Sequence, residues 1–177
     1  MGPPDVAILG LQLRHALERL GLDVAHEPTV TLLEAMRAAA TRDRIARQYV
    51  SRYAEVLGMG VTRLQACRAA GWSEMWATSA TYMAFLSRFP DSHVARKHGD
   101  AAARSVRLRA AALARQLLQA EDPMLLQPAL LAFDRELKQA GINPGTSADL
   151  TVASCFAAEL LTAAAAEPSS TDTITQF

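Results

Sequence analysis

Thirty-five alanines and 23 leucines stand against only 13 valines and isoleucines combined. Ala and Leu lose least on entering a helix, whereas strands draw on β-branched side chains. That imbalance predicts an all-α fold before any periodicity is read. A chain of 177 residues is one domain by length and can bury about 70% of its unfolded surface. The expected architecture is a single bundle of about six or seven helices over residues 1–166, followed by a flexible Ser/Thr-rich tail at 167–177.

The breakers divide the chain into helical runs. Val6, Leu9, Leu13, Leu17 and Leu20 form one stripe over residues 5–20, with Gly21 as a stop. Thr31 and Glu34 have the spacing of a capping box. They predict a long helix from Thr31 to Leu57, ended by Gly58 and Gly60. A short helix over 61–70 closes at Gly71, and a longer one over 73–87 carries Trp76, Tyr82, Met83 and Phe85. Pro90 to Gly99 reads as a turn, a short helix and a glycine stop. Helices over 100–120 and from Pro123 to Gln139 follow. Gly141-Ile142-Asn143-Pro144-Gly145 is a turn, and the last helix is expected from Thr146 to Ala166.

Charge and cysteine usage remove several function classes. Eighteen basic residues balance eighteen acidic ones, which argues against nucleic acid as a partner. Cys67 and Cys155 have no metal-ligand neighbours and are too few for a disulfide framework, so the expected compartment is the reducing cytoplasm. No run of about 18 uncharged apolar residues is present, so no membrane partner is expected. His93 and His98 lie on different helix faces and do not form a zinc pair. Asp91-Ser92-His93 cannot present a triad, because adjacent residues do not align hydroxyl, imidazole and carboxylate.

Some positions break the local pattern. The long second helix has the stripe Leu32, Met36, Ala39, Asp43, Ala46, Val50, Tyr53, Leu57, in which Asp43 alone is charged. A carboxylate there is costly unless paired, hydrated or lining a cavity. Either an ion pair with Arg42, Arg44 or Arg47, or a place at a site, would account for it. Asp134 edges the apolar stripe of the 123–139 helix and has Lys138 one turn on, which is an i,i+4 surface pair. The turn from Asn143 to Asp149, including Gly145, Thr146 and Ser147, precedes a helix whose free N–H groups would accept phosphate or carboxylate. The competing explanation is a plain capping box between Thr146 and Asp149. Arg96, Lys97, Arg104, Arg107, Arg109 and Arg115 make a local basic stretch, fit either for polyphosphate or for a solvated helix face.

Leu131-Ala132-Phe133-Asp134 through Leu137-Lys138, with Gly141-Ile142-Asn143-Pro144-Gly145-Thr146-Ser147-Ala148-Asp149-Leu150-Thr151, resembles the C-terminal region of the triphosphoribosyl-dephospho-CoA synthase family. That family makes the prosthetic-group precursor of citrate lyase and malonate decarboxylase. Asp43-Arg44-Ile45-Ala46-Arg47-Gln48-Tyr49 and Pro90-Asp91-Ser92-His93-Val94-Ala95-Arg96-Lys97-His98-Gly99 resemble a branch found in methylotrophs and methanogens. The likeness runs over residues 29–166. It implies an all-helical transferase that joins ATP to dephospho-CoA and releases adenine, with Mg²⁺ accompanying the ATP.

By the same resemblance, Asp43, Asp91 and Asp149 are the catalytic carboxylates, converging on one polar cavity. Arg96, Lys97 and His98 are then phosphate contacts, and Asn143, Gly145, Thr146 and Ser147 an anion-binding turn; metal ligands stay open. Family members are longer and carry Pro-Lys-Pro-Gly and Asn-Thr-His motifs near the N-terminus, which do not occur here. The chain is therefore expected to resemble the C-terminal portion, to turn over little alone, and to associate through an uncovered apolar flank as an oligomer or with a missing half. The alternative is a truncated, non-catalytic helical protein that binds a nucleotide or a partner.

Overall fold

The computed structural model describes residues 30–166, and these are helical with no strand. The chain divides into two compact units, Met1–Tyr53 and Ala54–Phe177. The expected helix over residues 5–20 and the tail lie outside the described residues.

In the first unit, α1 spans Leu32–Ala39 and α2 spans Arg44–Val50. The capping box is present at α1: Thr31 Oγ1 accepts from Glu34 N at 3.3 Å, and Thr31 N donates to Glu34 Oε2 at 2.7 Å. The single long helix expected here is instead two. Asp43 is extended, at φ −124 and ψ 118, and its Oδ1 accepts from Ile45 N at 2.8 Å and Ala46 N at 3.2 Å. The charge in the apolar stripe is thus the N-cap of a new helix. The break resets the helical phase. Ala35, Ala39, Ala46 and Gln48 are buried, while Val50 and Tyr53 of the expected stripe are exposed.

α2 ends without a glycine. Tyr53 N donates to Gln48 O at 2.7 Å and Arg52 N to Tyr49 O at 3.4 Å, the two bonds of a Schellman closure. Arg52 and Tyr53 both hold positive φ, 54° and 59°. A side chain in that region costs roughly 1–2 kcal/mol.

The second unit opens with a π-helical turn, Val56–Val61, running into α3, Thr62–Ala69. Gly58 and Gly60 were expected to stop a helix; they lie inside this wide turn. Gly60 is needed for approach. A Cβ there would stand 2.7 Å from Ser154 Cβ and 2.9 Å from Phe85 Cζ. α4 (Glu74–Arg88) is the central helix, flanked by α3, by α6 (Asp100–Gln119) and by α8 (Gly145–Ala166). α5 is the short Ser92–His98 helix, and α7, Gln127–Gln139, follows a 3₁₀ turn at Pro123–Leu126.

Small residues set the packing. Ala77, Ala80, Ala103, Ala110 and Ala158 are buried, letting helix axes approach around Leu64, Met83, Leu86, Leu117 and Phe133. Among the described residues there are eight α-helices, one more than the seven runs expected over the same span, because of the break at Asp43. Arg68 ties three of them together, donating to Glu74 at 2.8 Å and to Glu159 at 2.7 Å. The Asp134–Lys138 pair expected on α7 is present at 2.7 Å.

α8 departs from expectation in one respect. By length and composition its span Gly145–Ala165 is long and apolar enough to cross a membrane, since only Asp149 and Glu159 interrupt it. Leu150, Thr151, Ser154 and Ala158 are buried along it, whereas Val152, Phe156, Leu160 and Leu161 are exposed.

Candidate functional site

The Asp91 and Ser147 segments, 56 residues apart, meet at one point. Asp91 is the N-cap of α5, its Oδ1 accepting from His93 N at 3.0 Å and Val94 N at 3.1 Å. Its Oδ2 accepts from Ser147 N and Ser147 Oγ, both at 2.8 Å. Beside it, Ser92 Oγ and Thr146 Oγ1 share a hydrogen bond of 2.9 Å, and His93 N donates to Thr146 Oγ1 at 3.1 Å. The starts of α5 and α8 are therefore stitched together by buried Asp91, Ser92, Thr146 and Ser147.

That geometry revises two expectations. Thr146 is inside α8 rather than at its N-cap, and its hydroxyl bonds Ser92 Oγ and His93 N at the start of α5. A carboxylate does sit at the start of α8, as the free N–H groups invite, but it is Asp91 of the same chain. Four donors fill the roughly four acceptor positions of that carboxylate.

The other candidates lie around this junction. Gly145 faces His93, whose ring is 3.7 Å from where a Cβ would stand, and Asn143 is exposed just before it. Asp149 is exposed on the first turn of α8, two residues beyond Ser147. Arg96, Lys97 and His98 occupy the last turn of α5, where positive charge offsets the helix dipole. Arg96 turns back, with Nη2 3.0 Å from His93 Nδ1. Asp91 and Asp149 are thus brought to the same end of α8, while Asp43 caps α2 in the first unit.

A cleft of about 430 Å³ opens between α4, α7 and α8. Its walls are Met83, Leu130, Leu131, Phe133, Leu137 and Val152, with Thr78, Ser79, Tyr82, Asp134, Ala148 and Thr151 adding polar or small contacts. It runs to the first turns of α8: Ala148 lines it, and Thr151 Oγ1 donates to Ser147 O at 2.8 Å. Burial pushes the Tyr82 hydroxyl well above the usual tyrosine range, and Asp91 and Asp134 add to the effect. Tyr82 therefore stays a neutral donor at any ordinary pH.

Tyr82, placed on the 73–87 helix by the sequence, was given no functional role there, and the cleft was not foreseen. The available signal was the polar set Thr78, Ser79, Tyr82 at helical spacing on an otherwise apolar helix. Cys67 is buried, which raises its thiol, and Cys155 is half-buried. Among the described residues no group of three or more His, Cys, Asp or Glu could hold a metal ion.

The family model described as ATP:dephospho-CoA triphosphoribosyl transferase matches residues 6–168. Neither the comparison with curated proteins nor that with solved structures returned a match.

Proposed function

The chain belongs to the ATP:dephospho-CoA triphosphoribosyl transferase family, and from that premise we propose that it transfers the triphosphoribosyl group of ATP to dephospho-CoA. In this reaction a ribose hydroxyl oxygen of dephospho-CoA bonds to C1′ of the ATP ribose. The C1′–N bond breaks, adenine leaves with that electron pair, and the hydroxyl proton passes to a base or to adenine. Charge building on the ribose favours nearby carboxylates.

The observation that carries this reading is the ligand-sized cleft between α4, α7 and α8, which reaches Ala148 on the first turn of α8, inside the matched span. Asp149, exposed on that turn, supplies a carboxylate to the reacting ribose, and Arg96, Lys97 and His98 receive phosphate oxygens. Asp91 serves by holding the two helix starts in register. Mg²⁺ fits such a site only as a guest of the triphosphate. Without three clustered protein ligands it would take one or two carboxylates and keep phosphate and water for the rest. When bound it neutralises triphosphate charge.

Incubation of the purified chain with ATP, Mg²⁺ and dephospho-CoA tests the proposal. Adenine release, slow from this chain alone and matched one-to-one by a product with the mass of the triphosphoribosyl adduct, is expected. Its absence, with ATP still bound, refutes transfer and favours nucleotide binding without chemistry. The full hydrogen-bond complement of Asp91 makes that second reading specific.

A further inference from the structure

We infer that the cleft between α4, α7 and α8 is the seat of an adenine base; the inference rests on the proposed transfer only for the identity of its ligand. Both molecules in the family description carry adenine, and the cleft's chemistry selects that end of a nucleotide.

Size and charge come first. The volume, about 430 Å³, falls in the range of ligand sites, which are apolar with a few placed polar groups. Among the described residues Asp134 is the one charged member of the lining, and no Arg or Lys lines the cleft. A phosphate inside would meet that carboxylate and a largely apolar wall, the nearby Lys138 being already paired with Asp134. A nucleotide must therefore enter by its uncharged end. Tyr82 and the buried Phe133, one face of which is covered by the Arg109 guanidinium 5.0 Å from its centroid, line the space for a planar heterocycle, and Met83, Leu130 and Val152 complete the apolar wall.

The polar atoms choose between bases. Ser79 Oγ donates its proton to Met75 O at 2.7 Å, and Thr151 Oγ1 donates to Ser147 O at 2.8 Å. What these hydroxyls present to a ligand is acceptor capacity. Asp134 is also an acceptor, steadied by Lys138 on Oδ2 at 2.7 Å. Tyr82 is a donor, and Thr78, with its hydroxyl 3.9 Å from Cys155 Sγ, can donate or accept. An excess of acceptors over donors matches adenine, whose amino group donates twice beside an accepting ring nitrogen. Hypoxanthine, with a carbonyl in place of the amine and a protonated ring nitrogen, reverses both positions and leaves polar groups unpaired.

Calorimetric titration of the full chain with adenosine and with inosine tests this, free of phosphate contacts. Adenosine is expected to bind about tenfold or more tightly than inosine, the scale of one unsatisfied buried polar group. Val152→Trp, at a position 68% exposed on α8, should fill the mouth and weaken adenosine at least about tenfold with little change in melting temperature. Asp134→Asn should lower the adenosine preference, and Leu108→Trp, at an exposed position on α6 away from the lining, should change neither.

Displacement of adenosine by ATP assigns the seat to the donor, and displacement by dephospho-CoA to the acceptor; displacement by neither overturns the inference. So does equal binding of inosine, absent adenosine binding, or unaltered binding in Val152→Trp. If adenosine binds as expected yet no adenine is released from ATP, transfer fails and the cleft assignment stands. If adenine is released at an unchanged rate by Val152→Trp, the cleft assignment fails and transfer stands.

Discussion

Replacing Asp91 by Asn asks whether this carboxylate holds the fold or performs chemistry. The change keeps shape and volume but leaves one accepting oxygen where two accepted four hydrogen bonds. If the amide oxygen stays on His93 N and Val94 N, its NH₂ faces Ser147. Ser147 Oγ can rotate to accept from it, but Ser147 N–H is left opposed by a donor in a site 2% exposed. An unsatisfied buried donor costs about 1–3 kcal/mol, and each charge-assisted bond reduced to a neutral one loses a further fraction of its roughly 1.5–3 kcal/mol. About 3 kcal/mol of destabilisation is the expected sum, which for a chain of this size lowers the melting temperature by about 6–12 °C. Urea and thermal unfolding measure it, and Ser147→Ala, alone and combined with Asp91→Asn, should prove non-additive. An Asp91→Asn protein within about 0.5 kcal/mol of the parent, the ordinary range of surface substitutions, but unable to release adenine, would refute the clamp and make Asp91 a chemical group.

Three further outcomes are expected. Arg52→Gly should stabilise by about 1 kcal/mol in denaturant unfolding, because glycine adopts the positive φ of the α2 closure without strain; a loss would mean that the Arg52 side chain contributes more than its backbone costs. Gly60→Ala should destabilise by about 1–3 kcal/mol through its clash with Ser154 and Phe85, and Ser154→Gly in the same chain should recover part of it. Tyr82, whose folded pKa is raised from 10.0, favours the folded state below that value and ceases to do so as pH rises through its folded pKa. Tyrosinate absorbance should thus show one group titrating late or only on unfolding, and Tyr82→Phe should remove it.

Helix ends were legible in the sequence wherever a breaker has one meaning. Gly71 and Gly141 sit at positive φ closing α3 and α7, where left-handed residues are expected. The break at Asp43 was visible as a misplaced charge, but its cause was not, because a helix interior and an N-cap flanked by apolar residues share the same spacing. Gln48, buried in place of the expected Val50 and Tyr53, follows from the same shift of phase. At the site, both strings, Asp91 to Gly99 and Asn143 to Asp149, could be picked out individually. Their union could not: Asp91 reaches Ser147 across 56 residues, and local periodicity carries no term for such a partner. Thr146 and Asp149 satisfied a local rule, yet the Thr146 hydroxyl bonds α5 and the non-local Asp91 carboxylate accepts from Ser147 N.

Because one carboxylate caps its own helix and another's first turn, neither start can be ordered independently of the other. Releasing α8 strips Asp91 of two partners, and fraying α5 orphans Ser147 N–H in turn. Joining residues this far apart requires loop closure, which is entropically costly before the contacts reward it and slows the search for the native topology. α4, α6 and α7, which lie close to this closure in sequence, can gather first, with the Asp91–Ser147 closure arriving late. Native-state exchange would then find the amides of His93, Val94 and Ser147 opening as one unit, so the paired starts of α5 and α8 would be gained and lost in a single cooperative step.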